Sequence, residues 1–307
     1  MDRPYFSDRE RFAELVNAAL YHGDKILRSG DLVPQCRKYP ALSNAYSEME
    51  RDIWMIDRRQ NICYGIEIET ESDYRMPQRV MTYDACEYEY QIREIDRGHR
   101  ERESYQNYRD RKSRMKENDF LLPMVTVVLY LKEGHWEGGR KLSQMFRIPM
   151  ESVKQLGGSL HDYDFPLIEA DFVDPEDYRT DLKEFFRAMQ CRGDRTKLRR
   201  LLQTEEFQRL RPETEQVIAR HLHIGMLVHK MEKEGWSMCK AFDDLMKEER
   251  REGRKEGKRV GKREGKKEGK REEKFRIIRK MAKEGLEEGL ICRITGCTKE
   301  ELAAAGR

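Results

Sequence analysis

The sequence predicts an α/β domain followed by an all-helical region and a basic, glycine-punctuated tail. Three observations carry that prediction. Residues 123–131, PMVTVVLYL, form a continuous apolar run rich in β-branched side chains, as expected of a strand buried on both faces. From Asp177 to Lys247 the apolar spacing is helical throughout. Between Lys247 and Lys274, Gly253, Gly257, Gly261, Gly265 and Gly269 recur every four residues among fourteen Lys/Arg and eight Asp/Glu, a local charge of +6 in a chain whose total is +3.

The elements follow in order. Residues 7–21, SDRERFAELVNAALY, place Phe12, Leu15, Val16, Ala19 and Leu20 on one face of a helix. Residues 50–57 and 62–70 read as strands joined by the polar turn Arg58-Arg59-Gln60-Asn61. Pro77 opens a helix over 76–96. Residues 163–170 read as a strand that Pro166, lacking a ladder donor, sends to the sheet edge. Helices are expected over 177–190, 194–210, 212–230 and 237–249. The glycine repeat costs a helix roughly 5 kcal/mol at about 1 kcal/mol per glycine, so it reads as a solvated, partly helical linker. Packing of the stripe on another helix, or a polyanion on its basic faces, would hold it. Last come Ile277, Ile278, Met281 and Ala282 at helical spacing with Gly285 as C-cap, then a short helix through Leu290, Ile291 and Ile294 ending near Gly296. Thr298 and Glu301 form a capping-box pattern for a third helix. The domain reading is 1–175 α/β, 176–246 helical, 247–274 basic repeat and 275–307 a small helical unit with some helix-turn-helix character.

Composition narrows the function classes. With 39% charged residues and no run of 18 apolar ones, a helical membrane span is excluded. The first residues, MDRPYFSDRERF, are too charged for a secretory signal, and a cytoplasmic location is expected. Seven cysteines without a CxxC pair argue against a disulfide framework or zinc ribbon and read as reduced thiols; Cys292 and Cys297 show no ligand partners nearby in sequence. His221, His223 and His229 lie on a predicted helix, where i and i+2 face different ways, so zinc is not expected there.

The chemistry concentrates in Ile66-Glu67-Ile68-Glu69-Thr70-Glu71, whose alternation puts the three glutamates on one face. Folding the hairpin about Arg59 and Gln60 sets Asp52 opposite Glu67, with Cβ atoms about 5 Å apart. Asp57 then falls on the other face as a turn residue. Two carboxylates so placed raise each other's pKa unless a cation joins them. Mg²⁺ or Mn²⁺ suits such oxygen ligands. The plain alternative is a solvated acidic face, but Trp54, Ile56, Ile62 and Ile66 make these strands apolar, and acids held in such strands need a partner or a proton.

ERD (50–52), YGIEIETE (64–71) and MPQRVMTYDACEYEYQ (76–91) resemble the Rpn-type recombination-promoting nuclease/transposase family of the PD-(D/E)XK superfamily. Further similar stretches are 7–23, LPMVTVVLY (122–130), HWEGGRKL (135–142), TDLKEFF (180–186) and GWSMCKAFDDLMKEERREG (235–253), so the resemblance covers essentially the whole chain. It implies a restriction-endonuclease-like αβββαβ core and a metal-dependent DNA endonuclease. By position, Asp52 and Glu67 match the metal-holding acids. Glu69 stands where the superfamily has Lys and the family usually has Gln, so it would bind a second ion, hold or deprotonate the attacking water, or else weaken catalysis. Glu14 reads as a surface carboxylate, with an outer-shell role as the alternative. Arg79 and Tyr83 are candidate phosphate contacts, against a salt bridge and core packing.

Residues 97–116 interleave Tyr105 and Tyr108 with Arg109, Arg111, Lys112 and Arg114, a pattern suited to stacking bases and neutralising phosphates, or simply to a solvated helix extension. Three functions compete on the sequence: a metal-dependent DNA endonuclease, a nuclease-fold protein that binds DNA without cutting it, and a non-enzymatic assembly protein. DNA is the expected partner, and the C-terminal helical tail offers a route to a homo-oligomer.

Overall fold

The structure is a computed structural model that describes residues 2–36, 38–40, 48–159, 161–222 and 225–305. The chain divides into two units, Met1–Ala241 and Phe242–Arg307. In the first, α1 (Arg3–Phe6) and α2 (Arg9–Tyr21) precede β1 (Leu32–Gln35), the short antiparallel pair β2 (Lys38–Pro40) and β3 (Glu48–Glu50), β4 (Ile53–Asp57) and β5 (Ile62–Glu69). Then come α3 (Met76–Glu101), α4 (Tyr108–Ser113), β6 (Met124–Tyr130), α5 (Met150–Leu156) and β7 (Leu167–Glu169). Helices α6 (Leu182–Cys191), α7 (Arg195–Leu202), α8 (Glu205–Gln208), α9 (Pro212–His221) and α10 (Gly225–Glu234) complete it.

The protein is thus mixed α/β with a helical C-terminal region. Its five-stranded sheet has the order β1-β4-β5-β6-β7. The β1, β4 and β5 neighbours run antiparallel, whereas β5, β6 and β7 are parallel. The parallel pair β5–β6 requires a crossover, and α3 supplies it. One face of the sheet receives α3, through Met76 and Val80 against Val128, Tyr130, Trp136 and Phe165. On the other face the Tyr64 hydroxyl of β5 meets the Tyr21 hydroxyl of α2 at 2.7 Å. With both faces covered, β6 is apolar along almost its whole length, and β7 with Pro166 just before it is an edge strand.

Local chemistry sets the element ends. Asp8 caps α2 by accepting from the Glu10 and Arg11 amides, and Pro77 lies in the first turn of α3. The helices after β7 belong to the same unit as the sheet. Phe185 packs edge-on against Phe6, and the buried Arg11 guanidinium pairs with Asp181 at 2.6 Å and Glu213 at 2.7 Å. Several expected elements differ, among them the 163–170 strand, confined to Leu167–Glu169, and the 212–230 helix, which is divided into α9 and α10. The 50–57 strand breaks at Arg51 and Asp52, whose side chains leave the ladder for partners described below. The first helix of the region starts at Leu182, because Pro175–Asp177 form a 3₁₀ turn. The expected 194–210 helix breaks at Gln203 and Thr204, where Thr204 is extended. His223 lies outside the described residues.

Helix α11 (Met238–Lys283) begins in the last residues of the first unit and carries the glycine repeat, which lies in the second, as continuous helix. A Cβ added at Gly253, Gly257, Gly261, Gly265 or Gly269 would meet nothing within 4 Å. Replacing all five with alanine is therefore expected to stabilise this helix by roughly 5 kcal/mol, at about 1 kcal/mol each. Far-UV circular dichroism melts would show the gain; a loss would mean the stripe packs against something. After α11, Gly285 at φ +78° closes a Schellman cap, with Leu286 N donating to Met281 O at 3.2 Å and Gly285 N to Ala282 O at 3.2 Å. Helix α12 (Glu288–Thr295) ends at Gly296, φ +62°. The Thr298–Glu301 capping box opens α13 (Lys299–Ala305), with both bonds at 3.1 Å. Ile278, Ile291 and Cys297 are the centre of this unit's small core.

Candidate active site

The hairpin register is the one the sequence predicts, with Ile53 facing Ile66 and Trp54 facing Gly65, while Asp52, next in the chain, has left the ladder and its negative charge still acts on Glu67. Asp57 accepts from the Arg59 and Gln60 amides, as a turn residue does. On β5, Gly65, Glu67 and Glu69 share the face covered by α3.

Glu67 is 1% exposed, and its Oε1 is buried with no hydrogen-bond partner among the described residues. Its other oxygen lies 3.4 Å from Arg79 Nη2. Burial, reinforced by the negative charge of Asp52, pushes the Glu67 carboxyl up to about 8. Burial also raises Glu69, although Arg79 sits 2.7 Å away and opposes the shift. Asp52 sits in the strand break. Its Oδ2 accepts from the Ile68 amide at 2.9 Å, and Oδ1 accepts from Arg3 Nε at 2.8 Å. The site is therefore a row of carboxylates held by two guanidinium groups.

Arg79, one turn into α3, also reaches Asp73 at 2.9 Å. Burial works against its charge, but Glu69, Asp73 and Glu67 outweigh it and hold its pKa above the usual arginine value. Tyr83, one turn further on, is buried, and that burial, with Glu67 beside it, raises its phenol. Under the acids lies a second buried network. Arg51 pairs with Asp84 of α3 and donates to Thr126 Oγ1 of β6 at 2.6 Å, and the Tyr163 hydroxyl donates to Asp84. Gly65 makes room for it, since a Cβ there would lie 3.0 Å from Arg51 Nη1.

Among the described residues no group of three or more His, Cys, Asp or Glu side chains is arranged to hold a metal ion. Mg²⁺, however, commonly takes one or two carboxylates and fills its remaining positions with water and substrate phosphate. Asp52 and the orphaned oxygen of Glu67 meet that smaller requirement.

The other candidates are distributed as follows. Glu14 accepts from the Arg179 amide and from the Thr180 amide at 3.1 Å, so it fixes that turn instead of serving as an outer acid. Tyr105 donates to Asp96 at 2.8 Å, and Arg114 forms a fork on Glu89 with both bonds at 3.0 Å. Tyr108, Arg109, Arg111 and Lys112 are exposed on or beside α4. This segment folds back along α3, and Glu89, which Arg114 holds, lies roughly 15 Å along the helix from Arg79 at a rise of about 1.5 Å per residue. The structure does not bring it into the acid cluster. Sequence reasoning missed Arg3, Arg51, Asp73, Asp84, Thr126 and Tyr163. Asp84 had a visible signal, a carboxylate at i+4 and i+8 from Val80 and Met76 on a core-facing stripe; Arg3 had none.

Compared with known protein families, curated proteins and solved structures, the chain gives no match.

Proposed function

We propose that this protein is a metal-dependent DNA endonuclease with a restriction-endonuclease-like core, of the kind the Rpn-type resemblance implies. The observation that carries the reading is the orphaned, buried oxygen of Glu67 beside Asp52 and Glu69: a carboxylate so placed must take a proton or a cation. Asp52 and Glu67 would hold Mg²⁺ or Mn²⁺. That ion would supply Lewis acidity at a phosphate oxygen and lower the pKa of water. Glu69, made more basic by burial, orients the attacking water and takes its proton. Arg79, released from the carboxylates, pairs with the phosphate, and hydrolysis leaves a nicked strand. The exposed Tyr108, Arg109, Arg111 and Lys112 would touch duplex several base pairs from the cut.

Arg79 then competes with the cation for the same oxygens. Arg79→Gln is expected to bind Mn²⁺ about tenfold more tightly than wild type, roughly 1.4 kcal/mol, as read by isothermal titration calorimetry, while weakening DNA affinity. Unchanged Mn²⁺ affinity would show that the guanidinium is no competitor.

A second reading has its own observation. Glu69 is ion-paired with Arg79 where the superfamily carries Lys, which favours a protein that binds DNA without cutting it. A supercoiled-plasmid nicking assay in Mg²⁺ and Mn²⁺, with EDTA as control, separates the two. Metal-dependent nicking by wild type that is lost in Glu67→Ala supports the nuclease. Nicking only by Glu69→Gln supports the silenced fold. No nicking by any variant defeats the nuclease reading.

A further inference from the structure

The helix cap that ends α12 brings two thiols together. Gly296 adopts the left-handed conformation and its amide donates to Cys292 O at 2.9 Å, which makes Cys292 the third residue from the helix end and Cys297 the second beyond the cap. In the related Schellman cap an apolar contact commonly joins those two positions. Here both are cysteine, and the sulfurs lie 3.3 Å apart. Five residues apart in sequence, the pair is invisible to a CxxC search, and only the cap geometry joins them.

The surroundings differ for the two sulfurs. Cys297 is buried in the small core with Ile278 and Ile291, whereas Cys292 is half-buried and open to a small oxidant. Lys274 donates to Gly296 O at 3.0 Å and to Glu301 at 2.7 Å, which puts a cation over the turn that carries Cys297. The Thr295 hydroxyl, with that lysine, holds the Cys297 thiol below its ordinary value, while Cys292 is pushed above its own by its neighbour thiol. Access alone singles out Cys292 as the sulfur an oxidant meets, although its thiol is the less acidic of the two, and the more acidic Cys297 is placed to resolve the product.

We propose that Cys292 and Cys297 form a reversible intramolecular disulfide, a redox-sensitive clasp across the α12–α13 turn. The oxidant class is a hydroperoxide. Cys292 as thiolate attacks the peroxide O–O bond, is oxidised to the sulfenic acid and expels hydroxide, which takes up the thiol proton as water. Cys297 then attacks the Cys292 sulfur as thiolate. The S–O bond breaks, the S–S bond forms and a second water leaves. Two thiols and one hydrogen peroxide give one disulfide and two waters. The sulfurs need only close from 3.3 Å to about 2.05 Å. A dithiol reductant reverses the step.

This inference does not depend on the nuclease reading. The test treats the full-length protein with stoichiometric hydrogen peroxide, alkylates it and digests it with trypsin without reductant. Arg293 lies between the two cysteines, so cleavage there leaves two peptides joined only by the disulfide. The expected result is a linked pair about 2 Da lighter than the sum of its reduced halves, restored by dithiothreitol and absent in both Cys292→Ala and Cys297→Ala. The folded chain should form the link about tenfold faster than the same chain in urea, because the cap preorganises the sulfurs. Separate peptides, over-oxidation of Cys292 without linkage, or equal rates folded and unfolded would each overturn the clasp.

Discussion

Glu67→Gln is expected to abolish metal-dependent nicking and, in EDTA, to make the protein more stable than wild type at neutral pH. The sign follows from the raised carboxyl. In the folded chain Glu67 holds its proton up to about 8, against an ordinary value of 4.5. Between those two values the native state binds more protons than the unfolded chain, so stability falls as pH rises through the window and the loss is complete above about 8. At about 1.36 kcal/mol per pH unit the full loss is on the order of 5 kcal/mol. Glutamine carries no charge to bury, so the variant should lack this slope. Urea unfolding in EDTA across the window measures both proteins. Parallel pH profiles for wild type and Glu67→Gln would sink the argument. Saturating Mn²⁺ should flatten the wild-type slope, since a cation stabilises the ionised form that burial penalises.

How far the sequence reveals this site depends on the range of each interaction. The β4–β5 hairpin was legible because its partners are near neighbours and its turn is polar; the register followed from counting. The caps at Gly285, Gly296 and Thr298 were legible for the same reason, being set within one turn of chain. Strand β6 announced itself by burial on both faces. Illegible were contacts between distant segments: Arg3 on Asp52, Tyr163 on Asp84, Glu14 on the 179–180 turn. The strand break at Arg51 and Asp52 belongs with these, since its cause lies on α3 and β6. The glycine repeat shows a different limit. Intrinsic propensity argues for fraying, yet the segment lies within a helix of 46 residues, where its flanks supply nucleation that an isolated repeat lacks.

The second large effect is expected at Arg51. Its side chain is fully buried, Asp84 is 3% exposed, and the two pair across the sheet–helix interface. Arg51→Met would strand the Asp84 carboxylate with only the Thr126 and Tyr163 hydroxyls, at a cost of about 3–5 kcal/mol. Adding Asp84→Leu removes the orphaned charge, so the double variant should recover much of that stability, with the coupling read from a double-mutant cycle in urea. Activity should not recover with it. Arg51 immediately precedes Asp52, and its anchoring on Thr126 and Asp84 is what takes the chain out of the ladder and leaves the Asp52 carboxylate on the Ile68 amide. An apolar pair can replace the burial but not the anchor. The double variant is therefore expected to fold and yet nick plasmid at least tenfold more slowly than wild type, by the general cost of a misplaced reacting group. Recovery of nicking together with stability would show that Arg51 serves packing alone, and that Asp52 is positioned by β5 and Arg3 without it.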